Sequence, residues 1–328
     1  MSEEYSLTEK TAEEAPEKPS VLRIVVPFVT TALIFWWILR GLNFEALKRA
    51  FSEARLGLVL PAITIYSIVF FLIDVASFGL AYKKYLTDKV SWRDIAVVRG
   101  GMYLIQVALA PVAEVIPPTY FARKWRVRVL HTLGSEMYVM FCDAYQNVTL
   151  LSMGLLVAGV SLGLGWLIFV IAMWIWLGVN FAYWLTPIHD RLLPRLHNAA
   201  ILHAFKKAPL KDYLIFYGLR GIFMPANVII GWVLLDAFNV HLPIQHLLLL
   251  SPVMMSSTFL PISAGGYGGP QGAAILVLVN MYHHTTVEVA VAYSLIWSTF
   301  FAIGRAVIGA VFAIPVWNLL GQDKEKVE

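Results

Sequence analysis

Charged residues are scarce in this sequence. Only 14% of its 328 residues are Asp, Glu, Lys or Arg, whereas 59% are hydrophobic, and the mean hydropathy is +0.70. Soluble domains contain roughly 25% charged residues, so a protein built around a large water-soluble domain is excluded. Several charge-poor runs exceed the roughly 18 residues that a helix needs to cross a bilayer core.

Cysteine and recognisable catalytic motifs are also nearly absent. Cys142 is the single cysteine, which excludes an intramolecular disulfide. No Walker loop, nucleophile elbow or zinc-protease motif occurs, and the histidines lack metal-ligand spacing. We predict no metal site, no cofactor and no enzymatic activity. The net charge of +4 does not indicate nucleic acid, because the basic residues lie between apolar segments.

The two ends of the chain differ in composition from the rest. Residues 1–20 contain six Glu, two Lys and two Pro but almost no large apolar residue, so they cannot bury enough surface to fold alone. We predict a disordered acidic tail at 1–20 and a short cytoplasmic tail at 318–328. The opening residues also lack the pattern of a cleavable signal peptide.

Eight apolar segments account for most of the remaining chain. Two of them are interrupted: the third contains Pro111, Pro117 and Pro118, and the seventh contains the glycine- and proline-rich run 261–270. Such residues cost a helix hydrogen bonds and rigidity. The segments are 21–39, 56–82, 95–121, 132–160, 162–186, 213–238, 243–282 and 287–317.

Lysine and arginine are distributed unevenly among the connections. They are concentrated in 83–93, 122–131 and 187–211, and are missing from 161, 239–242 and 283–286. Short cytoplasmic loops carry an excess of these residues, so the first group is predicted to be cytoplasmic. Each interrupted segment then has both ends on one side. We predict two re-entrant hairpins that enter from opposite sides, six full spans, and both termini on the cytoplasmic side of the cell membrane.

The two halves of the chain share one plan of span, amphipathic connection, span, hairpin and span. The first repeat covers 21–160 and the second covers 161–317, and Glu136 and Glu288 follow the respective hairpins. Three spans per half is an odd number, so the second half is inverted. The predicted fold class is an all-α integral membrane protein with an inverted repeat. Transporters of this plan bind substrate near the midplane between broken helices, where Glu114 and Gly268 are expected to approach each other.

One amphipathic connection does not fit the charge rule. Residues 41–55 include three basic side chains, although the predicted topology places this connection outside. Phe44, Leu47 and Phe51 fall on one face, which is typical of a helix in the membrane interface. The side on which this connection lies is left open. The corresponding connection in the second half is 189–207.

Ionisable residues within apolar segments are the candidates for function. A charge near the bilayer centre costs at least about 2.5 to 3.5 kcal/mol. We predict that Asp74 and Asp143 line a polar pathway and that Glu114, Arg220 and Arg305 bind substrate. The alternative is that these charges form salt bridges that only hold helices together.

A glycine-rich run, 260–272, begins the second helix of the second hairpin. Gly268, Gly269, Gln271 and Gly272 allow close backbone approach and are expected to leave N–H groups free at a helix start, which attracts phosphate. A tight helix crossing is the alternative. With Arg220 and Arg305, this helix start is predicted to hold an anionic headgroup.

Two of these segments resemble a known family. The run LPISAGGYGGPQGA at 260–273 resembles the LPxSxGGxGxxEG signature of the lysylphosphatidylglycerol synthase transmembrane region family. The segment 111–123 is similar to that family's earlier PGxxGE-type segment. The resemblance implies lipid flipping or transport, but no lipid synthesis, because the aminoacyl-transferase domain of some members is absent. Gln271 replaces the usual Glu, and the Arg expected soon after Glu114 is replaced by prolines, so the substrate is open.

Three hypotheses for function follow. The first is a flippase that moves a membrane lipid with a phosphate-containing headgroup. The second is an integral-membrane enzyme on lipid-linked substrates, with Glu114 and Asp143 as acid and base. The third is a non-transporting partner of another membrane protein. A polar cavity open to lipid favours the first, converging carboxylates the second, and a fully packed interior the third. Homo-oligomerisation is left open by the sequence.

Overall fold

The structure is a computed structural model that describes residues 21–55, 57, 59–113, 115–157, 164–187, 199–259 and 266–322. Within these ranges there is no β-strand, and the regular elements are helices. They are α1 (Val21–Arg40), α2 (Phe44–Glu53), α3 (Val59–Tyr85), α4 (Trp92–Ala113), α5 (Ile116–Trp125), α6 (Val129–Val157), α7 (Leu164–Leu185), α8 (His203–Lys207), α9 (Leu210–Gly221), α10 (Phe223–Ala237), α11 (Ile244–Phe259), α12 (Gly269–Met281) and α13 (Val287–Gln322).

Three stretches of helix are long and apolar enough to cross a membrane. They are Val59–Tyr85, Leu210–Ala237, which combines α9 and α10, and Val287–Pro315. The predicted α-helical membrane protein is thus confirmed at this level. The predicted spans 21–39, 132–160 and 162–186 correspond to α1, α6 and α7. Over their described residues these helices are not both long and apolar enough to count as spans, and in α6 the cause is a series of polar residues. The prediction of six spans therefore stays a prediction.

Contacts between connections divide the molecule into two ends. At the basic end, formed by connections 86–91, 126–128 and 199–209, Lys124 Nζ lies 2.5 Å from Asp94 Oδ2, and Lys84 pairs with Asp212. At the histidine end, formed by connections 41–58, 238–243 and 282–286, Arg55 N donates to the Ala237 carbonyl oxygen at 2.9 Å. Apart from 41–58, which contains three basic side chains, the described connections group as the Lys and Arg distribution predicts.

In each of two helix pairs, the first helix starts and the second helix ends at the same end of the molecule. The pair α4–α5 starts and ends at the basic end, where Asp94 meets Lys124. The pair α11–α12 starts and ends at the histidine end, where His246 Nδ1 lies 2.9 Å from His284 Nε2. Each pair therefore returns to the end at which it starts, α4–α5 to the basic end and α11–α12 to the histidine end.

Helix α2 has the amphipathic character expected of the 41–55 connection. Asn43 caps its start by accepting hydrogen bonds from the backbone N–H groups of the second and third helical residues, each at 3.1 Å. Leu47 and Phe51 pack partly against the core, whereas Phe44 is 61% exposed. The connection lies at the histidine end, together with 238–243 and 282–286. Of the second amphipathic connection, 189–207, residues 189–198 lie outside the described residues.

Glycine permits two close helix crossings that fix the framework. A Cβ on Gly309 of α13 would lie 2.7 Å from the backbone N of Leu104 on α4. A Cβ on Gly154 of α6 would lie 2.6 Å from the Leu248 carbonyl oxygen on α11. Small residues allow helix backbones to approach in this way. The α4–α5 hairpin is thereby held against α13, and the α11–α12 hairpin against α6.

The buried core consists mainly of two clusters along the long axis. The cluster toward the histidine end is largely aliphatic and includes Leu234, Leu247 and Ala274. The cluster toward the basic end is rich in aromatic rings, among them Tyr82, Tyr85, Phe121, Tyr138 and Phe216. Asp74 occupies the part of α3 between Tyr66 of the first cluster and Tyr82 of the second. Polar chemistry is therefore concentrated in the middle of the molecule.

Candidate functional site

A network of buried charges lies between the two clusters, with Asp74 of α3 at its centre. Asp74 Oδ2 accepts from Arg99 Nε at 2.9 Å, and Arg99 Nη2 lies at the same distance. Asp74 Oδ1 accepts from Arg220 Nη1 at 3.3 Å. A single carboxylate thus links α4 and α9.

Asp143 of α6 forms a second ion pair with Arg220. Arg220 Nε donates to Asp143 Oδ1 at 2.5 Å, and Nη2 donates to Oδ2, which is the two-pronged geometry typical of Arg and carboxylate. The Asp143 side chain is 23% exposed, compared with 6% for Arg220. This pair is the more open edge of the network.

Glu136 extends the network toward the basic end. Its Oε1 atom accepts a hydrogen bond from the Tyr82 hydroxyl and lies 3.7 Å from Arg99 Nη1. The Phe78 ring lies 3.6 Å from the Arg99 guanidinium carbon, a distance typical of a cation–π contact. Helix α6 therefore contributes two carboxylates, about two turns apart.

The network joins three of the charges that the sequence singled out, Asp74, Asp143 and Arg220, in ion pairs. All three nitrogens of the Arg220 guanidinium contact carboxylates. Two guanidinium groups face three carboxylates here, so Arg220 lacks the free positive charge that a phosphate would require in this conformation. Removing one partner of such a buried pair costs about 3 to 5 kcal/mol.

Arg305 is placed differently from Arg220. It lies near the middle of the 36-residue α13, and no ion pair of its guanidinium is found within the described residues. The centroid of the Phe70 ring lies 5.8 Å from its guanidinium carbon. The Phe70 ring in turn lies 6.4 Å, centroid to centroid, from the Tyr103 ring. The Tyr103 hydroxyl is buried and has no hydrogen-bond partner in the described part of the chain.

The glycine-rich start of α12 is capped by its own side chain. Gln271 Oε1 accepts from Gly268 N at 2.6 Å, while Gln271 Nε2 donates to the Ser294 carbonyl oxygen and to Ser298 Oγ, both at 3.2 Å. The expectation of free N–H groups is therefore wrong for Gly268. Gly269 also has a partner, and Pro270 has no N–H. Gln271 is fully buried.

Glycine has a conformational reason to occur at two positions of this start. Gly266 and Gly268 have φ values of 83° and 93°, in the region that side chains other than glycine rarely adopt. The Gly266 carbonyl oxygen accepts from Ser298 Oγ at 2.9 Å. This segment therefore packs against α13, about two helical turns from Arg305. Gly272 lies one turn into α12.

Two further predictions from the sequence concern Glu114 and the pair of Glu136 and Glu288. Glu114 lies outside the described residues, so its approach to Gly268 stays a prediction. Glu136 and Glu288, which hold equivalent places in the two halves, have different surroundings: Glu136 is buried in the network, whereas Glu288 accepts from Asn43 N at 3.4 Å at the histidine end. The two halves thus differ in the use of this residue.

Sequence reasoning missed Arg99, Glu136 and Tyr103 as members of the polar centre. Arg99 sits only four residues into the third apolar segment, so it resembled a flanking interfacial charge. Tyr103 follows it by about one helical turn. The signal that could have identified Arg99 is its position on an apolar helix facing Asp74, since an ionisable residue there needs a partner.

The histidines form contacts that the sequence did not predict individually. His203 stacks on His131 with ring centroids 4.4 Å apart, and His246 meets His284. No group of three or more His, Cys, Asp or Glu side chains suited to a metal ion is found among the described residues. Cys142 is buried and free, in the aromatic cluster.

The apolar helices and the buried network define the class of α-helical membrane proteins. The family model described as "Lysylphosphatidylglycerol synthase TM region" matches residues 23–309. Because this match spans most of the chain, the protein belongs to that family. No curated protein matches the chain. The family is a membrane domain associated with lipid modification or transport.

Proposed function

We propose that this protein is a lipid flippase or transporter in which Arg305 binds the phosphate of an anionic or zwitterionic headgroup while the acyl chains remain in the bilayer. The main support is the guanidinium of Arg305, which lies on an apolar helix with no ion pair in the described ranges. Such a charge is costly in a membrane. A phosphate would supply the counter-charge, and arginine matches its geometry.

Tyr103 supports this assignment because its buried hydroxyl lacks a partner among the described residues. A phosphate oxygen near Arg305 would accept this O–H, and the cost of a buried unsatisfied hydroxyl would be removed. Tyr66 is already engaged, since its hydroxyl donates to Asn227 Oδ1 at 2.8 Å. The proposed headgroup site therefore lies among α3, α4 and α13.

The architecture proposed for the membrane has α4–α5 and α11–α12 as re-entrant hairpins in two inverted halves. The opposed directions of the two hairpins support it, and non-helical backbone at membrane depth is tolerated where protein or a wet cavity surrounds it. The basic end then faces the cytoplasm of the cell membrane, by the positive-inside rule. Both termini would be cytoplasmic.

The charge network has a separate role in this proposal. Arg220 comes from the second half of the chain, whereas Asp74 and Asp143 come from the first. Rocking of one half against the other, as in many transporters of this plan, would require these pairs to break and reform. Asp143, the more exposed partner, would separate from Arg220 first. Its carboxylate would then line the polar pathway.

The enzyme alternative receives less support from the described residues. Asp143, its proposed base, has both carboxylate oxygens engaged by Arg220. Glu114, its proposed acid, lies outside the described ranges. We therefore propose transport without a covalent reaction on the substrate, and leave the identity of the lipid to experiment.

The test is native mass spectrometry of the purified protein after mild detergent extraction. The wild-type protein should retain a phospholipid whose mass identifies its headgroup, and Arg305→Gln should lose most of this adduct. Arg49→Gln, on an exposed face of α2, is the matched control and should retain it. Equal occupancy in all three proteins would contradict the assignment of Arg305.

A further inference from the structure

Two histidines from different elements meet at the histidine end. His246 Nδ1, in the first turn of α11, lies 2.9 Å from His284 Nε2, in the connection between α12 and α13. One nitrogen must carry the proton of this hydrogen bond, and the other must present a lone pair. The pair is exposed, so its rings exchange protons with the surrounding water.

The neighbouring structure holds these rings in place. The Tyr282 ring stacks on His246 with centroids 3.7 Å apart and an interplanar angle of 13°. His284 N donates to the Leu278 carbonyl oxygen at 2.9 Å, and His283 has a φ of 52°. The bond closes the helix one residue wider than in an α-helix, and histidine occupies the left-handed position where glycine is most common. The conformation carries some strain for a side-chain-bearing residue.

Helix α12 reaches this contact through a π-helix, Ile275–Met281. Such segments are rare and often occur at functional sites. A shift of one residue in its hydrogen-bond register would rotate Tyr282 and His284 relative to α11. The histidine contact therefore joins a segment that can change register to the start of a neighbouring helix.

Two carboxylates at this end are engaged elsewhere. Asp236 lies 3.5 Å from Arg55 and 3.2 Å from His241, and Glu288 accepts from the backbone of Asn43. Within the described residues, no carboxylate pairs with His246 or His284. A second proton on the pair would therefore place two like charges about 2.9 Å apart with no acidic group to offset them.

We propose that His246 and His284 form a proton-operated latch that fastens the end of α12 to the start of α11. The latch is closed when the pair is neutral or carries one added proton, because an N–H and a lone pair remain available. It opens when both rings are charged. An ordinary histidine has a pKa of about 6.5.

The consequence for transport rests on the proposed function. Opening the latch would free α12 from α11 at the histidine end, where a headgroup would enter or leave the hairpin. Acidification on that side would then change the rate of lipid movement. The latch itself is a property of the fold and is tested without transport.

The test is hydrogen–deuterium exchange of residues 275–285 at pH 7.5 and pH 5.0, corrected for the intrinsic pH dependence, with EDTA present to exclude bound metal. In the wild type, exchange of these amides should rise about tenfold at pH 5.0, as expected for local opening. His246→Gln and His284→Gln should each remove this response. His283→Gln, adjacent to the pair, is the control and should retain it.

Two results would overturn the latch: a wild-type protein without an acid-induced rise, or a rise that persists in both His246→Gln and His284→Gln. Loss of the response in His283→Gln as well would assign it to the loop rather than to the pair. Because exchange is measured in the absence of substrate, failure here is distinguishable from failure of the proposed function.

Discussion

Arg220 and Arg305 are both arginines on apolar helices, yet their surroundings give them different chemistry. The guanidinium of Arg220 is paired with Asp74 and Asp143, whereas that of Arg305 has no ion pair among the described residues and lies 5.8 Å from the Phe70 ring. A paired charge mainly holds helices together, and an unpaired one attracts a ligand. Residue type and hydropathy are the same for both, so the sequence alone could not show which of the two is paired.

Asp74 should be more important for stability than any exposed acidic residue. Asp74→Asn removes the charge that Arg99 and Arg220 share, and we expect a loss of about 3 to 5 kcal/mol in the free energy of unfolding. Denaturant titration in detergent micelles measures it. Asp236→Asn, whose pair with Arg55 is 34% and 54% exposed, should cost at most about 1 kcal/mol. Equal losses would show that the network does not stabilise the fold.

Gln271 illustrates a departure from the family pattern that the structure explains. Its amide donates to Ser294 and Ser298 while its oxygen accepts from Gly268. The ionised Glu usual at this place could supply the acceptor but not the donors. In this chain the residue is therefore best suited to capping α12, and its earlier assignment to substrate stays a prediction.

At the scale of elements, the crossing of α6 and α11 depends on the absence of a side chain. Gly154→Ala would place a Cβ 2.6 Å from the Leu248 carbonyl oxygen, which forces backbone movement costing about 1 to 3 kcal/mol. Gly178→Ala in α7 meets nothing within 4 Å and should be neutral or stabilising by up to about 1 kcal/mol. Melting temperatures of the two variants test this. Similar shifts would contradict the close crossing.

Helix α8 is joined to α3 through a buried histidine, which makes the basic end sensitive to acid. His203 Nε2 lies 3.1 Å from the Tyr85 carbonyl oxygen, and burial lowers the pKa of His203 to about 4. The unfolded chain has a histidine pKa of about 6.5. The unfolded state therefore binds the proton first, and stability is lost as the pH falls from about 6.5 toward 4.

His203→Gln should remove this part of the pH dependence. The fall in melting temperature between pH 7 and pH 4.5 should be smaller in His203→Gln than in the wild type. His241→Gln, a histidine whose side chain is 73% exposed, should leave the fall unchanged. A wild-type slope in His203→Gln would assign the acid sensitivity to other groups.

At the scale of the whole molecule, hydropathy and charge distribution predicted the helical membrane class and, apart from the basic connection 41–55, the grouping of the described connections at two ends. They did so because bilayer thickness and the positive-inside rule act on whole segments. They could not predict that Arg99 reaches Asp74, or that Gln271 caps its own helix, because these contacts depend on helix rotation and crossing. Sequence position likewise could not predict that Glu136 is buried in the network whereas Glu288 lies at the histidine end.

The central proposal is that the protein moves a phosphate-bearing lipid past Arg305. The most direct test reconstitutes the protein in phosphatidylglycerol-containing vesicles with a trace of acyl-chain-labelled fluorescent phosphatidylglycerol and measures how much of the inner-leaflet label a membrane-impermeant quencher reaches. The wild type and Arg49→Gln should expose that label, and a folded Arg305→Gln variant should leave it protected. Label exposure by Arg305→Gln at the wild-type rate would contradict the proposal.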